Sequence, residues 1–152
     1  MTYNSYMPKR YRRALVVGRF QPFHRGHLYL IRTALEQADM IVIGIGSANV
    51  RDADNPYDAK SRQEIVARAM EHEGIAHRID SIVPIDDTPD DGEWLSLAID
   101  RVGEIDLVIG NNEWVNGIFE KAGYRVMRIP LYKREIYEGK KIRARLRKQK
   151  DL

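Results

Sequence analysis

Short apolar runs alternate with segments of helical periodicity along most of this chain. The apolar runs are rich in valine and isoleucine, as buried parallel strands are, and cover residues 13–17, 40–46, 78–85, 105–110 and 124–130. Between them apolar residues recur at helical spacing, which predicts helices over residues 27–38, 61–74, 93–102 and 112–123, and a last one over 138–150. The alternation predicts an α/β fold: a doubly wound parallel sheet covered by helices on both faces.

Length and composition bound this picture without changing it. With 152 residues, 43% of them hydrophobic, we expect a single domain over residues 1–152, with residues 1–11 as a flexible arm. No cysteine is present, which excludes disulfides and thiolate zinc sites and fits a cytoplasmic protein. No apolar run approaches the length of a membrane span, so no membrane partner is expected. The net charge of +3 favours anionic partners.

One loop between a predicted strand and a predicted helix is dense in histidine and arginine. It is the stretch GRFQPFHRGH, residues 18–27. The start of a helix attracts anions through free backbone N–H groups and its dipole. His24 and His27 are three residues apart and would project from one side of the first turn. Arg19 adds a permanent charge, and Gly26 would let a phosphate approach the backbone.

A helix cap or a metal site could also account for these histidines. A single histidine near a helix start usually serves as a cap or is solvated. A pair at this spacing can ligate zinc, but the sequence has no cysteine and no carboxylate at a matching offset. Two histidines, an arginine, a proline and a glycine within one loop favour a phosphate-binding site.

The same string resembles the HxGH signature of the nucleotidyltransferase superfamily. Its longer form is similar to the archaeal-type nicotinamide-nucleotide adenylyltransferases. The resemblance continues through GIGSA, NPYDAKSR, VPIDD with a tryptophan ten residues after Pro84, IGNNEWV and IYEGKKIR, so it covers roughly residues 13–146. It implies a Rossmann-like nucleotidyltransferase fold.

The resemblance implies an enzyme that transfers the adenylyl group of ATP to the 5′-phosphate of nicotinamide mononucleotide (NMN), giving NAD and pyrophosphate. The nucleophile of this reaction is already an anion, so no general base is required. Catalysis then rests on positioning and on neutralising phosphate charge. Mg²⁺ is the expected cofactor, bound mainly through the phosphates of ATP, and no protein metal site is expected.

The resemblance also assigns expected roles to individual residues. Those expected to take part in catalysis are Arg19, His24, His27 and Arg143. Those expected to bind ATP are Gly18, Arg19, Phe20, Gln21, His24, Gly26, His27, Gly110, Asn111 and Arg143. Those expected to bind NMN are Gly46, Ser47, Asp87, Asp91 and Trp94.

Trp94 and the acidic stretch before it have two interpretations each. An indole face attracts the cationic pyridine ring of NMN, but a helix tryptophan commonly packs in the core. Asp87 or Asp91 could meet the ribose hydroxyls or the pyridinium side. Alternatively, the stretch is a solvated loop with an aspartate cap before a helix.

Several points leave the acceptor open. Glu138 and Lys140 stand where the family motif has small hydroxyl residues. Rival acceptors for the same fold are nicotinate mononucleotide, phosphopantetheine and flavin mononucleotide. A second class, a non-enzymatic nucleic-acid-binding module, would rest on the basic tail KKIRARLRKQK, for which a solvated end is the preferred interpretation. Nucleic acid is therefore not expected as a partner, and the resemblance implies a homo-oligomer such as a hexamer.

Overall fold

The computed structural model describes residues 10–130 and 142–146. Its strands are β1 Tyr11–Gly18, β2 Ala38–Ile45, β3 Ile79–Pro84, β4 Leu107–Gly110 and β5 Val126–Arg128. The helices between them are α1 Arg25–Gln37, α2 Ala59–His72, α3 Asp91–Val102 and α4 Glu113–Lys121, with a short 3-10 helix at Ala76–Arg78. Residues 142–146 are helical. Among the described residues, no helix is long and apolar enough to cross a membrane.

The five strands form one parallel sheet in the order β3-β2-β1-β4-β5. The chain moves outward from β1 to β3, then returns and places β4 on the other side of β1. Strand order therefore reverses between β1 and β4, where doubly wound sheets hold ligands beyond the carboxyl ends of their strands. The loops after β1 and β4 both lie at this point.

Alternate residues of each central strand face opposite sides of the sheet, and both sides are covered. Ala14 and Val16 of β1 belong to a core shared with α1 and α2. Leu15 faces the other way, into a core shared with α3 and α4 that includes Trp94 and Phe119. Covering both faces makes the central strands apolar throughout, as their sequences predict. The predicted doubly wound α/β fold is confirmed.

Three of the helices begin two residues before their predicted starts, and their caps explain why. Asp58 accepts a hydrogen bond from Ser61 N at 2.7 Å and starts α2, and Asp90 accepts from Glu93 N at 2.9 Å and starts α3. Such caps satisfy backbone donors that the helix leaves unpaired, so the first turn needs no apolar residue. The cap of α1 is His24.

The flexible arm predicted over residues 1–11 extends too far toward the sheet, because residues 10 and 11 are bound to the fold. Tyr11 opens β1 and pairs with Ala38, and Arg10 donates to the backbone carbonyls of Leu35 and Ala38 at 3.0 Å each. These contacts attach residues 10 and 11 to the sheet and to the end of α1. Residues 1–9 lie outside the described part, as do Glu138, Lys140 and most of the predicted last helix.

Candidate active site

A cleft of about 340 Å³ opens at the carboxyl ends of the strands, where the strand order reverses. It is lined by residues that follow β1, β2, β3 and β4. Six of the residues predicted from the sequence meet there: Gly18, Arg19, Gly46, Ser47, Asp87 and Trp94. The sheet topology therefore gathers both predicted substrate loops around one space.

His24 caps α1 in the loop that follows β1, and neither His24 nor His27 is among the residues that line the cleft. Its Nδ1 accepts a hydrogen bond from Gly26 N at 3.0 Å, and its backbone N donates to His27 Nδ1 at 3.1 Å. Together the two histidines form a capping box, built from imidazoles rather than hydroxyl and carboxyl groups. Their rings stack with centroids 3.7 Å apart. The cap interpretation and the site interpretation thus describe the same two side chains.

Both histidines are neutral because their surroundings disfavour a charge. Burial lowers the pKa of His24 from 6.5 to about 4. Burial, and after it the neighbouring His24, lower the pKa of His27 well below 6.5. His27 also packs against Phe20, with ring centroids 4.5 Å apart, and Phe20 itself is buried. Phe20 therefore forms part of the wall that holds the His27 ring.

The capping hydrogen bonds also fix the tautomer of each ring. Each Nδ1 accepts a hydrogen bond from a backbone N–H, so it carries no proton. In a neutral imidazole the proton must then lie on Nε2, which becomes a hydrogen-bond donor. The start of α1 thus holds two neutral imidazoles as N–H donors, a suitable arrangement for phosphoryl oxygens.

Gln21 occupies a buried position and serves the backbone of a neighbouring loop. Its Nε2 donates to Tyr57 O at 2.9 Å, and its Oε1 accepts from Tyr57 N at 2.9 Å. Both ends of the amide are thus in use. The predicted contact between Gln21 and ATP stays a prediction, and the contacts of its side chain are structural.

The two predicted arginines are held by other polar groups. Arg19 Nη1 donates to Asn55 Oδ1 at 3.2 Å, and Asn55 Nδ2 in turn donates to Asp52 Oδ1 at 3.0 Å. Arg143, which lies in the helical segment 142–146, is buried, and its Nη1 donates to Gln21 O at 2.7 Å. Arg143 therefore reaches the HxGH loop across 122 positions of the sequence.

The second predicted loop is joined to the loop after β3 by a serine–aspartate contact. Ser47 Oγ donates to Asp87 Oδ1 at 3.0 Å. The amide of Asn49 pairs with the backbone of Asp87: Nδ2 donates to Asp87 O at 3.2 Å, and Oδ1 accepts from Asp87 N at 2.8 Å. Ser47 has a φ of +49°, a backbone conformation that residues other than glycine rarely adopt. Asp91 is exposed in the first turn of α3 and does not line the cleft, so its predicted contact with NMN has no support from this geometry.

Trp94 lies in the core, as the packing interpretation holds, although it also reaches the cleft. Only 1% of it is exposed, and it makes edge contacts with Trp114 and Phe119 at ring centroid distances of 5.0 and 5.9 Å. Trp114 lines the same cleft and is 47% exposed. The accessible indole of the site is therefore Trp114, which was not predicted from the sequence. Its place in the first turn of α4, three residues after Asn111, which is expected to bind ATP, is the signal that could have identified it.

Gly110 is the last residue of β4, on the far side of the switch point, and Asn111 follows it. Gly110 O accepts from Ile129 N at 3.0 Å and from Asn116 Nδ2 at 3.2 Å. A Cβ at Gly110 would lie 2.9 Å from Asn116 Oδ1, so glycine is needed for this close approach. The predicted adenosine contacts of both residues stay predictions.

The comparison with known proteins identifies the family of the chain. The family model described as cytidylyltransferase-like matches residues 15–145, so the chain belongs to that family. The chain is 39% identical over 141 residues to the nicotinamide-nucleotide adenylyltransferase of Methanolobus tindarius, covering 92% of this chain and 80% of that protein. It is 41% identical over 135 residues to the protein of the same name from Methanosarcina mazei, covering 88% and 76%. The resemblance drawn from the motifs, and with it the prediction of an enzyme, is confirmed.

A solved structure supports the fold independently. The bifunctional NMN adenylyltransferase/ADP ribose pyrophosphatase of Francisella tularensis superposes with a TM-score of 0.73 at 23% identity. The superposition covers 89% of this chain but only 41% of the bifunctional protein, so this chain spans less than half of it. The likeness confirms the predicted Rossmann-like nucleotidyltransferase fold.

Proposed function

We propose that this protein transfers the adenylyl group of ATP to the 5′-phosphate of NMN. An oxygen of the NMN phosphate attacks the α-phosphorus of ATP and forms the new P–O bond of NAD. The bond between the α-phosphorus and the oxygen of the β-phosphate breaks, and pyrophosphate leaves with that electron pair. The attacking oxygen already carries negative charge, so the protein does not need to remove a proton.

The observation that carries this proposal is the pair of neutral imidazoles at the start of α1, each with its Nε2 as the protonated nitrogen. They belong to the loop after β1, whose first residue, Arg19, lines the switch-point cleft. Neutral donors form hydrogen bonds to phosphoryl oxygens, and the helix dipole adds to the attraction. A preorganised donor of this kind lowers a barrier by about 2.7–4 kcal/mol. His24 and His27 would therefore stabilise charge on the transferring and leaving phosphates.

Permanent positive charge would come from Arg19, which belongs to the HxGH loop, and from Arg143, which donates a hydrogen bond to Gln21 O of that loop. Each histidine uses Nδ1 as an acceptor within the cap and carries its proton on Nε2, so neither nitrogen offers a lone pair to a metal. Mg²⁺ therefore fits the proposal as a metal carried on the triphosphate. When bound, Mg²⁺ neutralises phosphate charge. Among the described residues, no three histidine, aspartate or glutamate side chains group as metal ligands.

NMN would occupy the part of the cleft between Ser47, Asp87 and the two tryptophans. The Asp87 carboxylate accepts hydrogen bonds and can serve ribose hydroxyls as it serves Ser47 Oγ. The exposed face of Trp114, supported edge-on by Trp94, is suited to a flat cationic ring. The names of the archaeal relatives support NMN as the acceptor.

The proposal is tested by pyrophosphate release with ATP, Mg²⁺ and one acceptor at a time. The acceptors are NMN, nicotinate mononucleotide, phosphopantetheine and flavin mononucleotide. We expect NMN to give the largest kcat/KM and NAD as product. Turnover of another acceptor without NAD formation from NMN would refute the choice of substrate but not the reaction class. No pyrophosphate with any acceptor would refute both.

The expected homo-oligomer and cytoplasmic location also belong to the proposal. Sedimentation of the purified protein tests the first, and a sedimentation coefficient of a monomer would refute it. The nucleic-acid alternative rests on tail residues that lie mostly outside the described part. It is tested by RNA retention at rising salt, because phosphate contacts weaken steeply with ionic strength.

A further inference from the structure

A buried arginine joins the two substrate loops, and the proposed reaction gives it no role. Arg62 lies in α2, and its side chain is completely inaccessible to solvent. We define the ATP loop as residues 19–24, between β1 and α1, and the NMN loop as residues 46–58, between β2 and α2. The guanidinium of Arg62 lies beneath the point where these loops leave the sheet.

Within the described part of the chain, every hydrogen bond that Arg62 donates goes to a backbone carbonyl. Nη1 donates to Arg19 O at 2.9 Å and to Gly46 O at 2.8 Å, and Nη2 donates to Ser47 O at 3.1 Å. Nε donates more weakly to Asp58 O at 3.3 Å. One planar group therefore binds the first residue of the ATP loop and the first two residues of the NMN loop.

These carbonyls need such a partner because the sheet has ended. β1 ends at Gly18 and β2 ends at Ile45, and beyond these residues the two segments separate. One backbone hydrogen bond, from Gly46 N to Gly18 O at 2.8 Å, still connects them. Buried carbonyls without partners are costly, and the five donors of a guanidinium can serve several at fixed angles. Arg62 thus replaces the missing strand contacts at the floor of the cleft.

Among the residues that the structure describes, Asp58 and Asp87 are near enough to favour the charge of Arg62, but neither forms an ion pair with it. The carbonyls that accept its hydrogen bonds are neutral, and burial lowers the pKa of the guanidinium. Burying a charge costs free energy that an apolar side chain of similar size would not incur. Arg62 instead fixes the relative position of Arg19 and Ser47. Ser47 has a φ of +49°, a backbone conformation that requires support from its surroundings.

We propose that Arg62 is a positioning residue that holds the ATP loop and the NMN loop at the spacing needed for in-line attack. It touches neither substrate and acts through the backbone of Arg19, Gly46 and Ser47. The inference rests on the proposed function. A shift of about 1 Å between the loops would separate the NMN phosphate from the α-phosphorus and slow the reaction strongly.

Arg62→Lys is the test variant, because lysine keeps the charge but cannot reach several carbonyls at fixed angles. Arg78→Lys is the matched control. Arg78 donates to the carbonyls of Leu35, Ala38 and Asp39 at 2.9, 2.8 and 3.1 Å, at the opposite end of β2. Both variants lose a guanidinium that joins backbone segments, but only one of them adjoins the cleft.

The measurements are kcat and KM for ATP and for NMN, together with unfolding in urea. We expect Arg62→Lys to raise both KM values by about tenfold and to lower kcat by about tenfold. Arg78→Lys should lose stability yet keep all three kinetic constants within about twofold of wild type. Arg62→Met, which fills the space without charge, should show the same kinetic defects. Equal kinetic effects in the two lysine variants, or an Arg62→Met variant with wild-type constants, would overturn the proposal.

A binding experiment separates this inference from the proposed function. Titration calorimetry with Mg²⁺–ATP alone requires no acceptor. If wild type binds ATP but does not use NMN, the proposed function fails while Arg62 remains testable. In that case Arg62→Lys should weaken ATP binding about tenfold and Arg78→Lys should not. Equal affinities would overturn the role of Arg62 by itself.

Discussion

Lowering the pH of the nucleotide-free protein from 7 to 5 should destabilise it, and His24 should account for a defined part of that loss. The ring is half-buried at the start of α1, and its burial lowers the pKa from 6.5 to about 4. Between these values the unfolded chain binds a proton at His24 and the folded protein does not. Stability is therefore fully present above pH 6.5 and falls as the pH approaches 4.

The size of this effect follows from the two pKa values. At pH 5 the unfolded histidine is almost fully protonated and the folded one almost fully neutral. Taken in full, the difference is worth about 2 kcal/mol of unfolding free energy, and solvent around the half-buried ring screens it to about 1 kcal/mol. His27 adds a loss of the same sign, since its pKa is lowered too.

The variant His24→Asn isolates the contribution of residue 24. Asparagine is a favoured N-cap, so it retains an acceptor for the backbone of α1 but does not titrate. Urea unfolding at pH 7, 6 and 5 and constant ionic strength should show wild type losing about 1 kcal/mol more than the variant between pH 7 and 5. Removing His24 also relieves His27, which enlarges the difference slightly.

Two results would refute this reasoning. Equal pH dependence of wild type and His24→Asn would mean that His24 is not held neutral. A wild-type protein that becomes more stable toward pH 5 without ligand would mean that a nearby anion or carboxylate raises the histidine pKa values instead. Saturating ATP should reduce the loss, because bound phosphates favour the protonated rings.

Further substitutions test the packing of the site. Trp94→Ala should lower the free energy of unfolding in urea by about 3–5 kcal/mol, because Trp94 is buried. Trp114→Leu should change that free energy by less than about 1 kcal/mol but raise the KM for NMN about tenfold. A Trp94→Ala variant as stable as wild type, or a Trp114→Leu variant with an unchanged KM, would contradict these assignments. Gly110→Ala should destabilise the protein by about 1–3 kcal/mol, because its Cβ meets Asn116 Oδ1 at 2.9 Å. Gly117→Ala, with open space around its Cβ, should instead stabilise α4 by about 0.5–1 kcal/mol, and the reverse order in thermal unfolding would be inconsistent with this backbone geometry.

The sheet and the position of the site could be predicted because both depend on local pattern. Strands rich in valine and isoleucine that alternate with helices leave few topologies, and all of them bring the loops after the strands together. The HxGH loop lies between β1 and α1, as the apolar run at residues 13–17 and the helical pattern at residues 27–38 predict. Helix starts were less accurate, because capping depends on a single polar side chain rather than on periodicity.

Side-chain direction could not be predicted, since contacts between distant segments decide it. Trp94 turns into the core because Phe119 of α4 lies beside it, and this leaves Trp114 as the exposed indole. Gln21 pairs with Tyr57 rather than facing the cleft, a contact across 36 positions. Arg62 looks like an ordinary solvated helix residue in the sequence, and only the fold shows the carbonyls around it.

Isotope transfer in a single reaction mixture tests the central claim most directly. NMN carrying ¹⁸O at the three terminal oxygens of its phosphate is incubated with unlabelled ATP, Mg²⁺ and the protein. The masses of NAD and pyrophosphate are then measured by mass spectrometry. Attack of the NMN phosphate on the α-phosphorus of ATP predicts NAD that retains all three labels and pyrophosphate that carries none. Label in pyrophosphate, or no NAD at all, would contradict the account.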